Sequence, residues 1–178
     1  QAASTRLGFN VKRTMRVAQK LYENGFITYM RTDAPSLSKE SIQDARAFIS
    51  DELGSSYLTN APRIYSSQEN AQEAHEAVRP TSASRKPGMI TSSSDEEQRL
   101  YELIWQQFIS SQMPDAEYLS TSAKVNLEGY EFVARGREVV FDGFTKVMPP
   151  RKDEDAILPP LAEGDTCLLY TSPSPRDG

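Results

Sequence analysis

The sequence predicts an α+β protein: a mainly helical N-terminal part with a winged-helix-like core, followed by a β-rich part. Two observations lead to this prediction. Before residue 112, apolar residues recur at helical spacing in three separate segments. After Met113 the pattern changes to alternating and β-branched residues with glycines between them. The predicted domains therefore span residues 1–112 and 113–166.

The first predicted helix covers residues 11–24. Its apolar stripe consists of Val11, Met15, Ala18, Leu21 and Tyr22. Gly25 suits the position just beyond a helix end. The run FITYMR follows at once and is predicted to be a strand, because β-branched and aromatic residues favour extended structure. A helix, a glycine and a strand in this order resemble the recognition helix and first wing strand of a winged helix-turn-helix module.

Two further helices are predicted from their caps and periodicity. Ser38 is a candidate N-cap for a helix over residues 39–53, which Gly54 would close. Ser94 and Glu97 have capping-box spacing, and the helix after them is predicted to run to about Ser111.

The segment between these helices, residues 55–93, is rich in Ser and contains several prolines. It contains one island, NAQEAHEAVRP, that is predicted to form two helical turns ending before Pro80. His75 and Arg79 would then lie on one face of those turns.

The β-rich part is predicted to contain three or so antiparallel strands between Leu119 and Met148. The charged run at Asp153, Glu154 and Asp155 is read as a solvated loop rather than a cation site, since nothing nearby fixes ligand geometry, and no metal ligand is assigned. Residues 167–178 abandon the β pattern abruptly. They are treated as a non-native tail and left out of the prediction.

The composition fits a globular protein, with 38% hydrophobic and 25% charged residues among 178. No apolar run approaches the roughly 18 residues of a membrane span. One cysteine and one histidine exclude an internal disulfide and a multi-cysteine zinc site. The first residue is not Met, so we expect the chain to be a segment of a longer protein.

The charge is distributed unevenly along the chain. The net charge is −5, yet residues 1–37 hold six cationic side chains and two acidic ones, which leaves −9 on the remainder. Two interpretations remain open. The cations form either a nucleic-acid footprint on an acidic body or an ordinary solvated helix face, and charge alone favours the solvated face.

Tyr29 and Arg31 would share one face of the predicted strand, with Thr28 and Met30 on the other. A free tyrosine phenol is almost entirely protonated at neutral pH, so a nucleophilic tyrosine needs a nearby cation or base. Arg31 would supply that charge and a fork for a phosphate. The alternative is a tyrosine packed at a domain edge beside a solubilising arginine, and the residues alone favour that alternative.

Four runs resemble the type IA family of bacterial DNA topoisomerases, on the topoisomerase I side of that family. They are AASTRLGF, TMRVAQKLYENGFITYMRTD, QEAHEAVRPT and FDGFTKVM, and together they cover residues 1 to about 166. The resemblance implies that residues 1–112 are the active-site tyrosine domain and residues 113–166 part of a β-rich arch. Ala34 departs from the serine that the family usually has after T-D.

The resemblance implies roles for particular residues. Tyr29 would be the nucleophile that forms a 5′-phosphotyrosine, Arg31 would position the scissile phosphate, and His75 would lie near a neighbouring phosphate. Arg79 and Asp33 would support the site. The implied DNA-binding residues are Arg6, Lys12, Arg13, Arg16, Thr32 and Arg79.

The family works without ATP, relaxes negative supercoils and acts on single-stranded segments of DNA. The resemblance also implies that the intact protein is a monomeric bacterial enzyme of the cytoplasm with no membrane partner. Its Mg²⁺ would be bound by a Toprim domain that this chain lacks, so the chain alone is expected to be inactive.

Two other functions are weighed against this one. A winged-helix DNA-binding module would use Tyr29 only as a contact, but it needs neither YMRTD nor AHEAVRPT. A phosphoprotein-binding domain would need an arginine cluster in residues 55–93, where the cations are few.

Overall fold

A computed structural model of the chain describes residues 1–65, 76–90, 94–127, 129–150, 158 and 160–166. Their regular elements are, in chain order, α1 (Ala2–Leu7), α2 (Val11–Glu23), α3 (Lys39–Glu52), α4 (Asp95–Ser110), β1 (Glu117–Leu127) and β2 (Tyr130–Phe141). Two 3-10 turns, Ser55–Tyr57 and Gly143–Lys146, complete them. The predicted α+β class is confirmed.

The three predicted helices are confirmed, and each begins at a polar cap. The side chains of Asn10, Ser38 and Ser94 each accept a hydrogen bond from the backbone N–H three residues further on. Each cap satisfies one N–H group that the first helical turn leaves without an internal partner. The short helix α1 was not predicted, because only Ala3 and Leu7 pack against the core and six residues are too few to show a helical period.

The end of α2 turns the chain sharply. The N–H of Phe26 donates to the carbonyl of Leu21 at 2.9 Å, and the N–H of Gly25 donates to Tyr22 at 2.9 Å. This pair of bonds is a Schellman motif, and it requires the left-handed backbone that Gly25 adopts with φ of 70°. Gly25 therefore ends the helix as predicted and fixes where Phe26 and the residues after it begin.

The chain divides into two compact units. The helical unit consists of residues 1–117 and 140–153, and the hairpin unit consists of residues 118–139 and 154–178. The helical unit holds one hydrophobic core, whose fully buried side chains include Phe9, Leu21, Ile27, Ile49, Tyr101, Ile109 and Met113. Burial of these apolar surfaces is the main stabilising term for the unit.

Side chains of α4 hold the segment of residues 81–90 against the core. Tyr101 donates its hydroxyl hydrogen to the carbonyl of Arg85 at 2.6 Å, and Trp105 donates its indole N–H to Ala83 at 2.9 Å. Burial raises the pKa of Tyr101 to about 12, although the positive charge of Arg85 acts in the opposite direction. The phenol is therefore a hydrogen-bond donor and not a reactive group.

The predicted strand over FITYMR is wrong, because the described backbone forms only a single antiparallel bridge between Ile27 and Pro80. Pro80 lacks an N–H and occupies a position of the bridge where none is needed. The ladder cannot grow on either side. The N–H of Phe26 is taken by Leu21, and the N–H of Arg79 is taken by the hydroxyl of Thr28 at 3.0 Å. The expected wing strand is therefore replaced by a short irregular segment.

The described part of the β-rich region contains two antiparallel strands instead of the expected three or so. The run FDGFTKVM, which was expected to be β structure, forms the 3-10 turn Gly143–Lys146. A Cβ atom at Gly143 would collide with the backbone of Asp115, and the N–H of Phe144 donates to the carbonyl of Pro114 at 2.9 Å. This close approach leaves no room for a pleated strand.

Three expectations fall partly or wholly outside the described residues. The predicted helical turns at 70–79 are described only at 76–79, where the chain is not helical because Ala77 and Arg79 bond to distant backbone groups. The acidic run at 153–155 and the tail at 167–178 lie outside the described ranges.

The hairpin unit carries apolar side chains that solvent reaches. The exposed ones include Leu119, Tyr130, Phe132, Val133 and Val139. Lys124 pairs with Glu131 at 3.1 Å across the two strands, and the guanidinium of Arg137 lies 4.6 Å from the ring centre of Tyr118. Over the described residues, every helix is too short or too polar to cross a bilayer.

We expect Leu21→Ala to lower the free energy of unfolding by about 2–5 kcal/mol, because it opens a cavity in the core beside α4. Val11 is an apolar residue on the same helix that is 80% exposed. Val11→Ala should change the same quantity by less than about 0.5 kcal/mol. Urea unfolding measures both, and equal losses in the two variants would contradict the assignment of the core.

Candidate active site and nucleic-acid interface

The two motif-bearing segments of the sequence meet in the structure. The N–H of Thr28 donates to the carbonyl of Arg79 at 2.9 Å, and the N–H of Thr81 donates to Phe26 at 3.0 Å. The hydroxyl of Thr28 donates to the carbonyl of Ala77 at 3.0 Å while it accepts the N–H of Arg79. Residues 26–28 are thus bound to residues 76–81, which we call the anchor segment, although the two are some fifty positions apart.

The anchor segment also holds the chain on the far side of Tyr29. The N–H of Ala77 donates to the carbonyl of Ser36 at 2.8 Å. The carboxylate of Glu76 accepts the N–H of Ser38 and the hydroxyl of Ser41, each at 3.0 Å. Residues 29–35, which we call the tyrosine loop, are therefore attached at both ends to one short segment.

Glu76 is the charged centre of this attachment. Arg79 donates to it through Nε at 2.7 Å and through a second nitrogen at 3.0 Å, and the third guanidinium nitrogen donates to the carbonyl of Pro80. Burial on its own would raise the pKa of Glu76. The hydrogen bonds from Arg79, Ser38 and Ser41 outweigh burial and lower that pKa below its ordinary value. The carboxylate is consequently ionised and fully bonded at neutral pH.

Side chains of the tyrosine loop alternate between solvent and core. Tyr29 is 46% exposed and Arg31 and Asp33 are also exposed, whereas Met30 and Ala34 are buried. The sequence predicted that Tyr29 and Arg31 face away from Met30, and this alternation is confirmed in burial even though no strand forms. The position of Ala34 also explains its small apolar side chain, since a buried hydroxyl would need a partner.

Tyr29 is steadied by a second tyrosine. The rings of Tyr22 and Tyr29 lie edge to face, with centroids 5.4 Å apart and planes at 72°. Tyr22 is 41% exposed and lies in the last turn of α2. The contact orients the ring of Tyr29 and leaves part of it open to solvent.

Arg31 has no hydrogen-bond or ion-pair partner within the described ranges, so its guanidinium is available to an anion. Thr32 accepts the N–H of Ala34 at 3.1 Å and so shapes the turn of the loop. His75 lies outside the described residues, directly before Glu76 in the sequence.

The cations of α2 have partners that the sequence did not reveal. We call Lys12, Arg13, Arg16 and Lys20 the basic face. The carboxylate of Glu96 contacts two guanidinium nitrogens of Arg13, one of them at 2.6 Å, and one guanidinium nitrogen of Arg16 at 3.1 Å. Glu97 lies 3.5 Å from the ammonium of Lys20. Hydrogen bonds from Arg13 lead the causes that lower the pKa of Glu96.

The remaining residues that were expected to contact DNA differ in whether their charged groups already have partners within the protein. Arg6 donates to the carbonyl of Pro149 at 3.1 Å from an exposed position, and Lys12 is exposed with no ion pair among the described residues. The side chain of Arg79 is 16% exposed, and all three of its guanidinium nitrogens donate to Glu76 or Pro80. Arg79 thus supports the loop, whereas Lys12 and Arg31 can meet a ligand directly.

Sequence reasoning missed Tyr22, Thr28, Glu76 and Glu96. Tyr22 was counted only as part of an apolar stripe, although its aromatic ring comes seven residues before Tyr29. The other three take their meaning from partners far along the chain, and a single sequence carries no signal for such pairs.

The described ranges hold no group of three or more His, Cys, Asp or Glu side chains arranged to bind a metal ion. Within those ranges, no cluster of side chains would hold the Mg²⁺ that the resemblance assigns to a Toprim domain.

The chain matches a family model described as DNA topoisomerase over residues 1–174. It is 50% identical over 171 residues to DNA topoisomerase 1 of Pseudomonas aeruginosa, a match that covers 95% of this chain and 20% of that protein. DNA topoisomerase 1 of Escherichia coli is 49% identical over 171 residues, with the same coverage.

A solved structure of full-length topoisomerase I from Thermotoga maritima superposes with a TM-score of 0.76 at 33% identity, covering 92% of this chain and 27% of that one. The chain thus spans about one fifth of the length of the curated relatives described above.

We expect Glu76→Gln to lower the free energy of unfolding at pH 7, because the amide loses its charge-assisted bonds to Arg79. The pKa of Glu76 is lowered in the folded protein from an ordinary value of 4.5. Its contribution to stability is therefore complete above that value and is lost as the pH falls below it. The difference between the original chain and the variant should shrink as the pH falls from about 5 to about 3.

Urea unfolding at several pH values measures this difference. Glu102→Gln removes an exposed carboxylate of α4 and should change the free energy of unfolding at pH 7 by less than about 0.5 kcal/mol. A loss in Glu76→Gln that stays constant across the pH range would contradict the role given to its charge.

Proposed function

This chain belongs to the DNA topoisomerase family, and from that premise we propose that it is the strand-cleaving part of a type IA enzyme. The intact protein would cut one DNA strand through a tyrosine, let another strand pass and reseal the first. The chain spans about one fifth of its curated relatives, so the activity belongs to the whole protein. Alone, the chain is proposed to be inactive.

The observation that carries this proposal is the tyrosine loop. A half-exposed tyrosine and an exposed arginine stand two residues apart on a loop whose two ends are attached to the anchor segment. A nucleophile has to be both accessible to its substrate and held in one orientation. A tyrosine that served only as packing would need neither the exposed ring nor a neighbouring cation that has no partner in the described part of the chain.

In the proposed reaction the phenol oxygen of Tyr29 attacks the phosphorus of a DNA phosphodiester. The bond from phosphorus to the 3′ oxygen breaks as the bond from phosphorus to tyrosine forms. The phenol proton is lost and the departing 3′ oxygen gains one, so charge and atoms balance. The product is a 5′-phosphotyrosine that keeps the energy of the ester, and resealing therefore needs no ATP.

Arg31 is proposed to hold the scissile phosphate. Its guanidinium can grip two phosphate oxygens at once and offset the negative charge that grows on them during attack. The lack of a competing carboxylate in the described residues supports this role. His75 is proposed to lie near a neighbouring phosphate, and this proposal rests on the family motif alone.

The DNA path is proposed to cross the surface that bears the exposed cations. Phosphate contacts by lysine and arginine supply most of the affinity of proteins for DNA and make it sensitive to salt. The proposed contacts are Arg6, Lys12, Arg13, Arg16, Thr32 and Arg79, with Arg79 acting through the loop that it supports.

The proposed domain division follows the family. Residues 1–112 would be the active-site tyrosine domain, residues 113–166 part of the β-rich arch, and residues 167–178 a non-native tail. Mg²⁺ would be held by a Toprim domain elsewhere in the intact protein. We propose that the whole enzyme is a cytoplasmic bacterial monomer whose partner is DNA, chiefly the single-stranded segments of negatively supercoiled duplex.

A winged-helix DNA-binding module is the alternative function. It predicts DNA binding that weakens with salt and no covalent product in any context. The missing wing strand between residues 26 and 31 counts against it, because the described backbone forms only one bridge there. Formation of a covalent protein–DNA adduct distinguishes the strand-cleaving enzyme from the DNA-binding module.

We expect Tyr29→Phe to abolish the covalent DNA adduct while DNA binding survives, because only the nucleophilic oxygen is removed. The assay needs a complete active site. Residues 1–166 would therefore replace the matching segment of E. coli DNA topoisomerase 1, with which the chain shares 49% identity. Adducts with labelled single-stranded DNA would be trapped with detergent and resolved on a gel.

Tyr22→Phe is the matched control, since it removes the hydroxyl of the tyrosine that contacts Tyr29 and keeps the ring pair. It should leave the adduct intact. An adduct in Tyr29→Phe, or its loss from both variants, would rule out Tyr29 as the specific nucleophile.

We expect Arg31→Ala to slow single-turnover cleavage in the same chimaera by about 100-fold or more, as the loss of a charge-stabilising donor can. Arg31→Lys keeps the positive charge but loses the two-pronged guanidinium fork, so its cleavage rate should lie between those of Arg31→Ala and the parent chimaera. Rapid-quench measurements with saturating DNA would separate this loss from weaker binding. A cleavage rate in Arg31→Ala equal to that of the parent chimaera would refute the role.

A further inference from the structure

The carboxylate of Glu96 forms ion pairs with Arg13 and Arg16, two of the arginines that were expected to bind DNA. Glu96, in the first turn of α4, contacts Arg13 through one oxygen at 2.8 and 2.6 Å and Arg16 through the other at 3.1 Å. Both oxygens are used, and the two guanidiniums come from successive turns of α2. The arrangement is a two-arginine clamp that is closed around an internal anion.

The same clamp suits a backbone phosphate. Carboxylates and phosphates present paired anionic oxygens, and guanidinium forks bind both with similar geometry. A phosphodiester also carries one negative charge, so it can replace the carboxylate without changing the charge balance at the clamp. The chemistry of the site therefore does not distinguish an internal ligand from an external one.

The clamp is open to solvent. The side chain of Arg16 is 65% exposed, that of Arg13 is 39% exposed, and that of Glu96 is 32% exposed. Exposed ion pairs are weak because water screens them. A polyanion that reaches several cations at once can therefore displace one carboxylate. Arg13 also stacks on the ring of Phe9, 4.2 Å from its centre, which holds its guanidinium in place after Glu96 leaves.

We propose that Arg13 and Arg16 form a binding site for one backbone phosphate of single-stranded DNA, which Glu96 fills in the free protein and yields when the strand binds. The choice of DNA rests on the proposed function. Glu96 would then act as an internal competitor that weakens binding and reduces its dependence on salt, because fewer counterions are released when the arginines are already paired. An enzyme that must release and rebind strands gains from such moderation.

The test uses the full 178-residue chain and a fluorescent oligothymidine, with binding followed by anisotropy across a range of KCl concentrations. We expect Glu96→Gln to tighten binding by about 3- to 10-fold at low salt, as loss of a competing ion pair allows. The slope of log affinity against log salt should steepen by about 0.7, the value for one more phosphate contact with a single strand.

Glu102→Gln is the matched control. It makes the same change in net charge on the same helix, at an exposed carboxylate that accepts a hydrogen bond from Gln106 and forms no ion pair within the described ranges. Equal effects in the two variants would show a general charge effect and overturn the proposal. Weaker binding by Glu96→Gln would also overturn it.

Arg16→Ala, made alone and together with Glu96→Gln, completes a double-mutant cycle. The gain from Glu96→Gln should largely disappear once Arg16 is absent, whereas a gain that persists would contradict the shared site. Thermal unfolding of each variant establishes that it is folded, and Glu96→Ala provides a second variant if the amide perturbs α4.

Outcomes for this site and for catalysis can be told apart. If no variant of the chain binds the oligothymidine, the phosphate site is overturned while the Tyr29 adduct in the chimaera still decides the catalytic proposal. If binding occurs with no difference between Glu96→Gln and Glu102→Gln, DNA binding stands and only the competitor role fails.

Discussion

Among the described residues, the carboxylate of Glu76 is the charge that holds together the two attachments of the tyrosine loop. It accepts bonds from Ser38 and Ser41, which follow the loop, and from Arg79, whose backbone carbonyl accepts the N–H of Thr28 just before the loop. Partly buried carboxylates are stable only when such bonds replace the lost water. Movement of any of these partners would break its bond to Glu76 and lower the stability of the fold. The loop between them is therefore held in one position although it has no regular secondary structure.

Electrostatic pairing also organises the packing of α2 against α4. The first turn of α4 is acidic, which suits the positive end of a helix dipole. The same acids lie opposite the basic face of α2, so one set of charges stabilises a helix end and compensates a neighbouring helix. A strongly basic stretch of sequence is consequently far less basic as a surface than its composition indicates.

Features that depend on neighbouring residues could be predicted from the sequence, whereas features that depend on residues far along the chain could not. The helices of residues 39–53 and after Ser94 were recognised because periodicity and caps are local signals. The strand predicted at FITYMR does not form, because the hydroxyl of Thr28 and the carbonyl of Leu21 accept the N–H groups that a ladder would use. For the candidate site, the outward facing of Tyr29 and Arg31 could be predicted, whereas the support from Glu76 required the folded chain.

The alternation of burial along the tyrosine loop separates two kinds of evolutionary constraint. Met30 and Ala34 are held by the volume available in the core, while Tyr29, Arg31 and Asp33 face solvent. Substitutions at the outward positions can alter chemistry with little effect on folding, and substitutions at the inward positions do the reverse. The packing beneath the loop and the exposed side chains above it can therefore change independently of each other.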